Sequence, residues 1–175
     1  HLIKKGHSVS VLTGFPNYPN GSIFQGYRLS RLKIFHSENI DRINVFRDFL
    51  FASHSKKSLP RLLNYISFLI FSCLRTLTLP KFDTVIVTSP PLTVAFPAMM
   101  IKKKQNIPLL LDIRDLWPEA PIELGYLKSN NIKQILFTFE KYLYKTADYI
   151  ISVSSGIHQD IIKKGVDKNK CSIIT

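Results

Sequence analysis

The sequence predicts an α/β protein with a doubly wound, mostly parallel sheet, and three observations predict it. Short apolar runs rich in Val, Ile and Leu occupy residues 83–88, 107–111 and 149–153, a length and composition that suit strands buried on both faces. Stretches of helical period lie between them. Gly, Pro and Ser mark the changes from one to the other, and strands alternating with helices imply right-handed crossovers and a parallel sheet of the Rossmann type.

Taken in order, residues 1–7 (HLIKKGH) read as the last turn of a helix closed by Gly6. Residues 8–13 alternate polar and apolar as a strand does, and residues 14–21 (GFPNYPNG) follow with dense turn chemistry. A long loop after a strand is a place where function concentrates. Two weaker β segments are expected near residues 31–36 and 42–49. From Phe49 to Phe82 there is no Asp or Glu, and Leu62 to Leu74 carries no charge at all. That window is shorter than the roughly 20 apolar residues needed to cross a bilayer, so a transmembrane helix is not expected. At about 100° per residue, Leu62, Ile66, Leu69, Ile70, Cys73 and Leu77 share one arc, which is the predicted core face. Phe68 and Phe71 then project on the opposite side beside Arg61, Asn64, Ser72 and Arg75. Aromatic rings beside cationic groups suit a membrane interface, so Lys56, Lys57, Arg61, Phe68, Phe71 and Arg75 are the candidate lipid contacts; a neighbouring loop covering the two Phe is the alternative. Further helices are expected over residues 92–104, 132–145 and 157–164. In the middle one Ile132, Ile135, Leu136, Phe139 and Leu143 form the apolar stripe, with Lys133, Glu140 and Lys141 on other faces. Ser154 or Ser155 is placed to cap the last helix and Gly165 to end it.

With 175 residues, 45% hydrophobic and 21% charged, the chain can bury a core and has the length of one domain. It opens on what reads as the end of a helix and closes on a β-rich run, so the expectation is part of a longer protein, residues 1–175 forming an incomplete N-terminal domain. Cys73 and Cys171 are too sparse for a disulfide framework and lack metal-ligand spacing, which points to a reducing cytosol. The net charge of +12 favours an anionic partner such as lipid head groups or nucleotide phosphates. Basic residues are dispersed and no nucleic-acid recognition motif is present, so nucleic acid is not the expected partner. His7, His36, His54 and His158 have no partner at useful spacing, and there is neither a Gly-rich phosphate loop nor a zinc-ligand pattern.

The chemistry concentrates in residues 112–119 (DIRDLWPE), where Asp112, Asp115, Glu119, Arg114 and the only Trp follow an apolar strand directly. Such an edge is where a parallel sheet forms its crevice. Arg114 between Asp112 and Asp115 relieves their repulsion and orients a carboxylate, and an ionised carboxylate facing a hydroxyl can accept its proton. Asp115, Asp112 and Glu119 are therefore the candidate catalytic groups. Trp117 offers a flat face for a sugar ring. The alternative is that Asp115 caps a short helix, Arg114 pairs with it and Trp117 fills core. Ser89-Pro90-Pro91 leaves Ser89 or Thr93 either in the same crevice or in ordinary capping. Residues 154–156 (SSG) offer N–H groups to an anion or a simple cap.

Residues 1–21, 88–93 (TSPPLT), 112–119 and 149–165 together resemble the N-terminal domain of bacterial family 4 glycosyltransferases of the two-domain GT-B fold, in particular the transferases of O-antigen and capsule assembly, including the N-acetyl-L-fucosamine transferase type. DIRDLWPE is the most specific element of the likeness. The resemblance implies an acceptor-binding half, with Arg114, Trp117, Ser89, Thr93 and Tyr18 as acceptor contacts. It implies a donor domain, with an acidic pair on the nucleotide-sugar, outside these residues, so this part alone is expected to be inactive. The full enzyme would carry a sugar, from a UDP-sugar, to a polyprenyl-diphosphate-linked saccharide at the cytoplasmic face of the membrane, as a peripheral protein on an anionic surface, without metal or other cofactor. A nucleotide-sugar 2-epimerase of the same architecture and a non-enzymatic basic binding module are the rival readings.

Overall fold

The computed structural model describes residues 1–17, 19, 21–27, 34–53, 58–127 and 129–174, with the backbone alone for Ser58 and Arg61. The chain divides into two compact units, His1–Leu79 and Pro80–Thr175.

Among the described residues, the first unit is a three-stranded sheet with one long helix. Strands β1 (Val9–Gly14), β2 (Phe35–Ile40) and β3 (Ile43–Asp48) are ordered β1-β3-β2, with β1 parallel and β2 antiparallel to β3. The β2–β3 hairpin closes on Asp41 and Arg42 at φ 49° and 67°, the paired left-handed geometry that matches strand twist in a two-residue turn. The second weak β segment thus lies where the sequence placed it; the first begins at Phe35, and residues 31–33 lie outside the described residues. Gly14 is required by close approach, since a Cβ there would stand 2.0 Å from Leu50 Cδ2, and Leu50 is itself buried.

Helix α1 (Ser58–Arg75) corrects the sequence reading by half a turn. Its inward face carries Phe68, Phe71, Ser72 and Arg75, while Leu62, Ile66 and Ile70, assigned to the core by periodicity, are exposed. The physical reason lies in what the helix meets. Phe71 packs edge-on against Phe35 and Phe49, with ring centroids 6.4 and 5.1 Å apart. Phe68 reaches the Gly14 position. The Arg75 guanidinium lies over the Phe35 and Phe46 rings, donates to Asp48 Oδ1 at 2.8 Å and reaches the His36 carbonyl at 2.9 Å. Asp48 is wholly buried. A buried carboxylate demands a buried cation, and Arg75 can supply it only if this side of α1 turns inward. Phe68, Phe71 and Arg75, expected on the outward side, thus pack toward the sheet. Lys56 and Lys57 lie outside the described residues, as does the Arg61 side chain.

The second unit is a parallel sheet in the order β4 (Val85–Ser89), β5 (Leu109–Ile113), β6 (Tyr149–Ser152), β7 (Cys171–Ile173). The crossovers carry α2 (Ala95–Gln105), the short α3 (Glu119–Glu123) with α4 (Asn130–Thr146), and α5 (Ser155–Lys163). Each strand is laid down beside its predecessor, so crossovers of one hand carry the helices to one face. Val87, Leu109, Leu111, Ile113 and Ile150 pack there against Ala95, Leu143, Ala147 and Ile161. Alternation leaves Ile86, Thr88, Leu110 and Asp112 on the other face. Ser154 caps α5 by accepting from the Ile157 N–H, and Gly165 follows at φ 90°, as the sequence indicated. In α4 the expected stripe holds for Leu136, Phe139 and Leu143, but Ile132 and Ile135 are exposed and Glu140 is buried. Phe139 stacks on Phe96 of α2 at 4.1 Å.

Two outcomes are expected. Gly14→Ala overpacks against Leu50 and lowers stability by about 1–3 kcal/mol, measurable by urea unfolding. Burial pushes the Asp48 carboxyl up to about 6, against the lowering pull of Arg75. A group raised on folding stabilises fully below its unfolded value and loses that contribution as pH passes its folded value. The stability of wild type relative to Asp48→Asn should therefore fall between about pH 4 and about pH 6; parallel pH curves for the two proteins would contradict this.

Candidate active site

The pairing of β4 with β5 sets Thr88 opposite Asp112 and Ser89 opposite Ile113, so the DIRDLWPE segment leaves the sheet at its carboxyl edge. Asp112 Oδ2 accepts from Thr88 Oγ1 at 3.1 Å and from Arg114 Nε at 3.0 Å. The Arg114 N–H donates to the Ser89 carbonyl at 2.9 Å, extending the ladder one step beyond the strands. Arg114 is largely exposed, at 64% of its side chain, so its pairing with Asp112 orients more than it stabilises.

Asp115 stands exposed in the turn that follows, with Oδ1 accepting from the Leu116 N–H at 2.9 Å. Among the described residues it has no cationic partner. Its carboxylate is held in direction by the backbone and remains available to solvent. Trp117 is half-buried against the apolar core of the unit, and the following Pro118 is fully buried. The indole therefore packs in large part against the unit's core.

Glu119 parts company with the other two carboxylates. It begins α3 and pairs with Lys164, which also pairs with Glu140. Tyr144 donates its hydroxyl to Glu140 at 2.7 Å. Burial pushes the Glu140 carboxyl up, opposed by the bonds from Lys164 and Tyr144. Glu119 Oε2 is buried without a partner among the described residues. Two carboxylates on one ammonium fasten the segment after Asp115 to α4 and to the end of α5. The structure thus gives Glu119 an anchoring contact to Lys164. Lys164 carried no sequence signal, since its partners lie 45 and 24 residues away.

Of the remaining candidates, Ser89 is buried and contributes its carbonyl, while the Thr93 hydroxyl is buried with no partner among the described residues. Tyr18 lies outside the described residues. In the first unit a shallow cleft of about 360 Å³ opens at the carboxyl end of β1, between Gly14, Phe15, Asn17, Phe24 and Arg47. Arg47 pairs there with Glu38, which Tyr27 also contacts. Burial alone would raise the Glu38 carboxyl, but the bonds from Arg47 and Tyr27 hold it below its ordinary value. The parallel register that sets Arg47 beside Thr13 is a tertiary fact that the loop chemistry of residues 14–21 hinted at only in part. A larger hollow, about 530 Å³, lies at the opposite, amino edge of the four-stranded sheet around Lys102 and Asp148, away from this chemistry.

The two charged groupings are expected to separate on mutation. Lys164→Met leaves two carboxylates facing each other and costs about 3 kcal/mol or more, whereas Arg114→Met stays within about 1 kcal/mol of wild type; chemical denaturation of both variants decides.

Comparison with known proteins agrees with the geometry. The model of the glycosyl transferase 4-like domain matches residues 1–175. A glycosyl transferase assigned by its name to colanic acid biosynthesis, WcaI of Escherichia coli strain K12, is 26% identical over 170 residues, covering 94% of this chain and 41% of that protein. The chain therefore spans about two fifths of that relative. A parallel α/β unit with its charged segment at the carboxyl edge, and a family match running from the first residue to the last, lead to one conclusion: this chain belongs to the glycosyl transferase 4-like family.

Proposed function

We propose that the chain is the acceptor-side part of a transferase that moves a sugar from a nucleotide-sugar, UDP-linked and of the N-acetyl-L-fucosamine class, to a polyprenyl-diphosphate-linked saccharide in O-antigen or capsular polysaccharide assembly. It works at the cytoplasmic face of an anionic membrane, and the donor is held chiefly by residues beyond these 175. The observation that supports this reading most is the Asp115 carboxylate, exposed and backbone-oriented at the sheet's carboxyl edge, within a chain matched by the family model throughout. The name of the relative, which places it in the biosynthesis of another exopolysaccharide, supports the glycan class of the acceptor.

In this reading Asp115 receives the proton of the acceptor hydroxyl as its oxygen bonds to the sugar carbon and the nucleotide diphosphate leaves with the electron pair of the broken bond. Asp112, held by Thr88 and Arg114, positions the edge. The exposed Arg114 guanidinium meets anionic oxygens of the lipid-linked acceptor. Glu119 keeps the segment in place through Lys164.

In the full-length protein, Asp115→Asn is expected to lower transfer by about a hundredfold or more with unchanged circular dichroism. Product mass spectrometry distinguishes a lengthened glycan from an epimerised nucleotide-sugar. Unchanged turnover in Asp115→Asn removes that residue from the mechanism, and an epimerised product with no transfer removes the transferase reading.

A further inference from the structure

The half-turn reversal of α1 leaves a face that neither the first unit's sheet nor its described loops cover. Leu59, Leu62, Leu63, Ile66, Ile70 and Leu74 are each between 40% and 66% exposed. At about 100° per residue they fall in one arc of about 120°, running the length of an 18-residue helix. They form a continuous aliphatic strip with no charged side chain, because Arg75 is turned into the core against Asp48. Scattered exposed apolar residues are ordinary, but a contiguous strip marks a contact surface. No helix among the described residues is long and apolar enough to cross a membrane.

Charge selects the occupant. From Phe49 to Phe82 the chain has no carboxylate, and its net charge is +12. A second copy would bring +12 against +12, whereas an anionic lipid surface attracts the chain before the strip inserts. A helix with an uncharged aliphatic face in a basic setting lies in the plane of the interface, its strip sunk to the acyl boundary.

We propose that the aliphatic strip of α1, rather than the Phe68–Phe71–Arg75 side, seats this protein on the surface of an anionic phospholipid bilayer. The inference rests on the reading of a membrane-borne acceptor and assigns that reading a surface. The strip is free of carboxylates along its whole length, as contact with an anionic surface requires.

The test uses the full-length protein with vesicles of phosphatidylcholine alone and vesicles containing about 30% phosphatidylglycerol, sedimented at about 0.1 M salt. Wild type is expected to partition onto the anionic vesicles, less so as salt rises. Ile66→Gln/Ile70→Gln should lose about tenfold or more of that partitioning while keeping its circular dichroism, its melting temperature and its transfer to a water-soluble acceptor. Leu62→Gln/Leu74→Gln repeats the measurement should the first pair fold poorly. Three results overturn the proposal: wild type that ignores anionic vesicles, variants that bind as wild type does, or a wild-type dimer that the substitutions make monomeric, which assigns the strip to a second copy. The two readings fail separately. Wild type that binds vesicles but transfers no sugar overturns the transferase reading alone, and wild type that transfers in solution but ignores vesicles overturns the docking surface alone.

Discussion

Parallel pairing is the constraint from which the placement of chemistry in this protein follows. Parallel strands cannot be joined by tight turns, so each must be followed by a crossover that returns the chain to the same edge. All four strands of the second unit therefore deliver their exits to one edge, and the segment after β5 leaves there with its charged residues. In the first unit the same pairing between β1 and β3 brings Arg47 beside the loop that begins at Gly14. The cleft of the first unit and the charged edge of the second owe their position to strand direction, and their chemistry to whichever residues happen to stand one or two places past the last ladder bond.

Charge is used in two physically different ways. Asp48 with Arg75 is withdrawn from water, as is Glu140, which shares the partly covered Lys164 with Glu119, and each is matched by opposite charge. Their energetics are those of desolvated pairs, where removing one partner strands the other. Asp115 and Arg114 remain in water. A carboxylate there is free to exchange its hydrogen-bond partners, which a substrate requires and a buried pair forbids. Asp112 stands between the two groups, mostly covered yet tied to an exposed arginine. The DIRDLWPE segment thus divides into a solvent-open end at Asp115 and an anchoring end at Glu119, with the buried Pro118 between them.

Helix α1 shows how one buried ion can orient a whole element. Its aliphatic arc would gain more from burial than the opposite side if hydrophobic area alone decided. The sheet it covers, however, presents Phe35, Phe46 and Asp48. An arginine is the side chain that answers rings and a carboxylate together, through stacking and directed N–H groups. The cost of an unpaired buried Asp48 outweighs the aliphatic area left outside.

The sequence by itself determined the α/β class, the order of strands and helices, the cap at Ser154, the glycine stop at Gly165 and the segment where charge meets a strand end. These are properties of neighbours in the chain, carried by period, propensity and turn chemistry. Tertiary structure alone decided which side of α1 faces inward, that Glu140 rather than Ile132 or Ile135 is buried on α4, and that Glu119 is held by Lys164. Each of these turns on a partner distant in sequence. Periodicity can show that a helix has an apolar face, but where both sides are apolar, only the groups waiting on the sheet can choose between them.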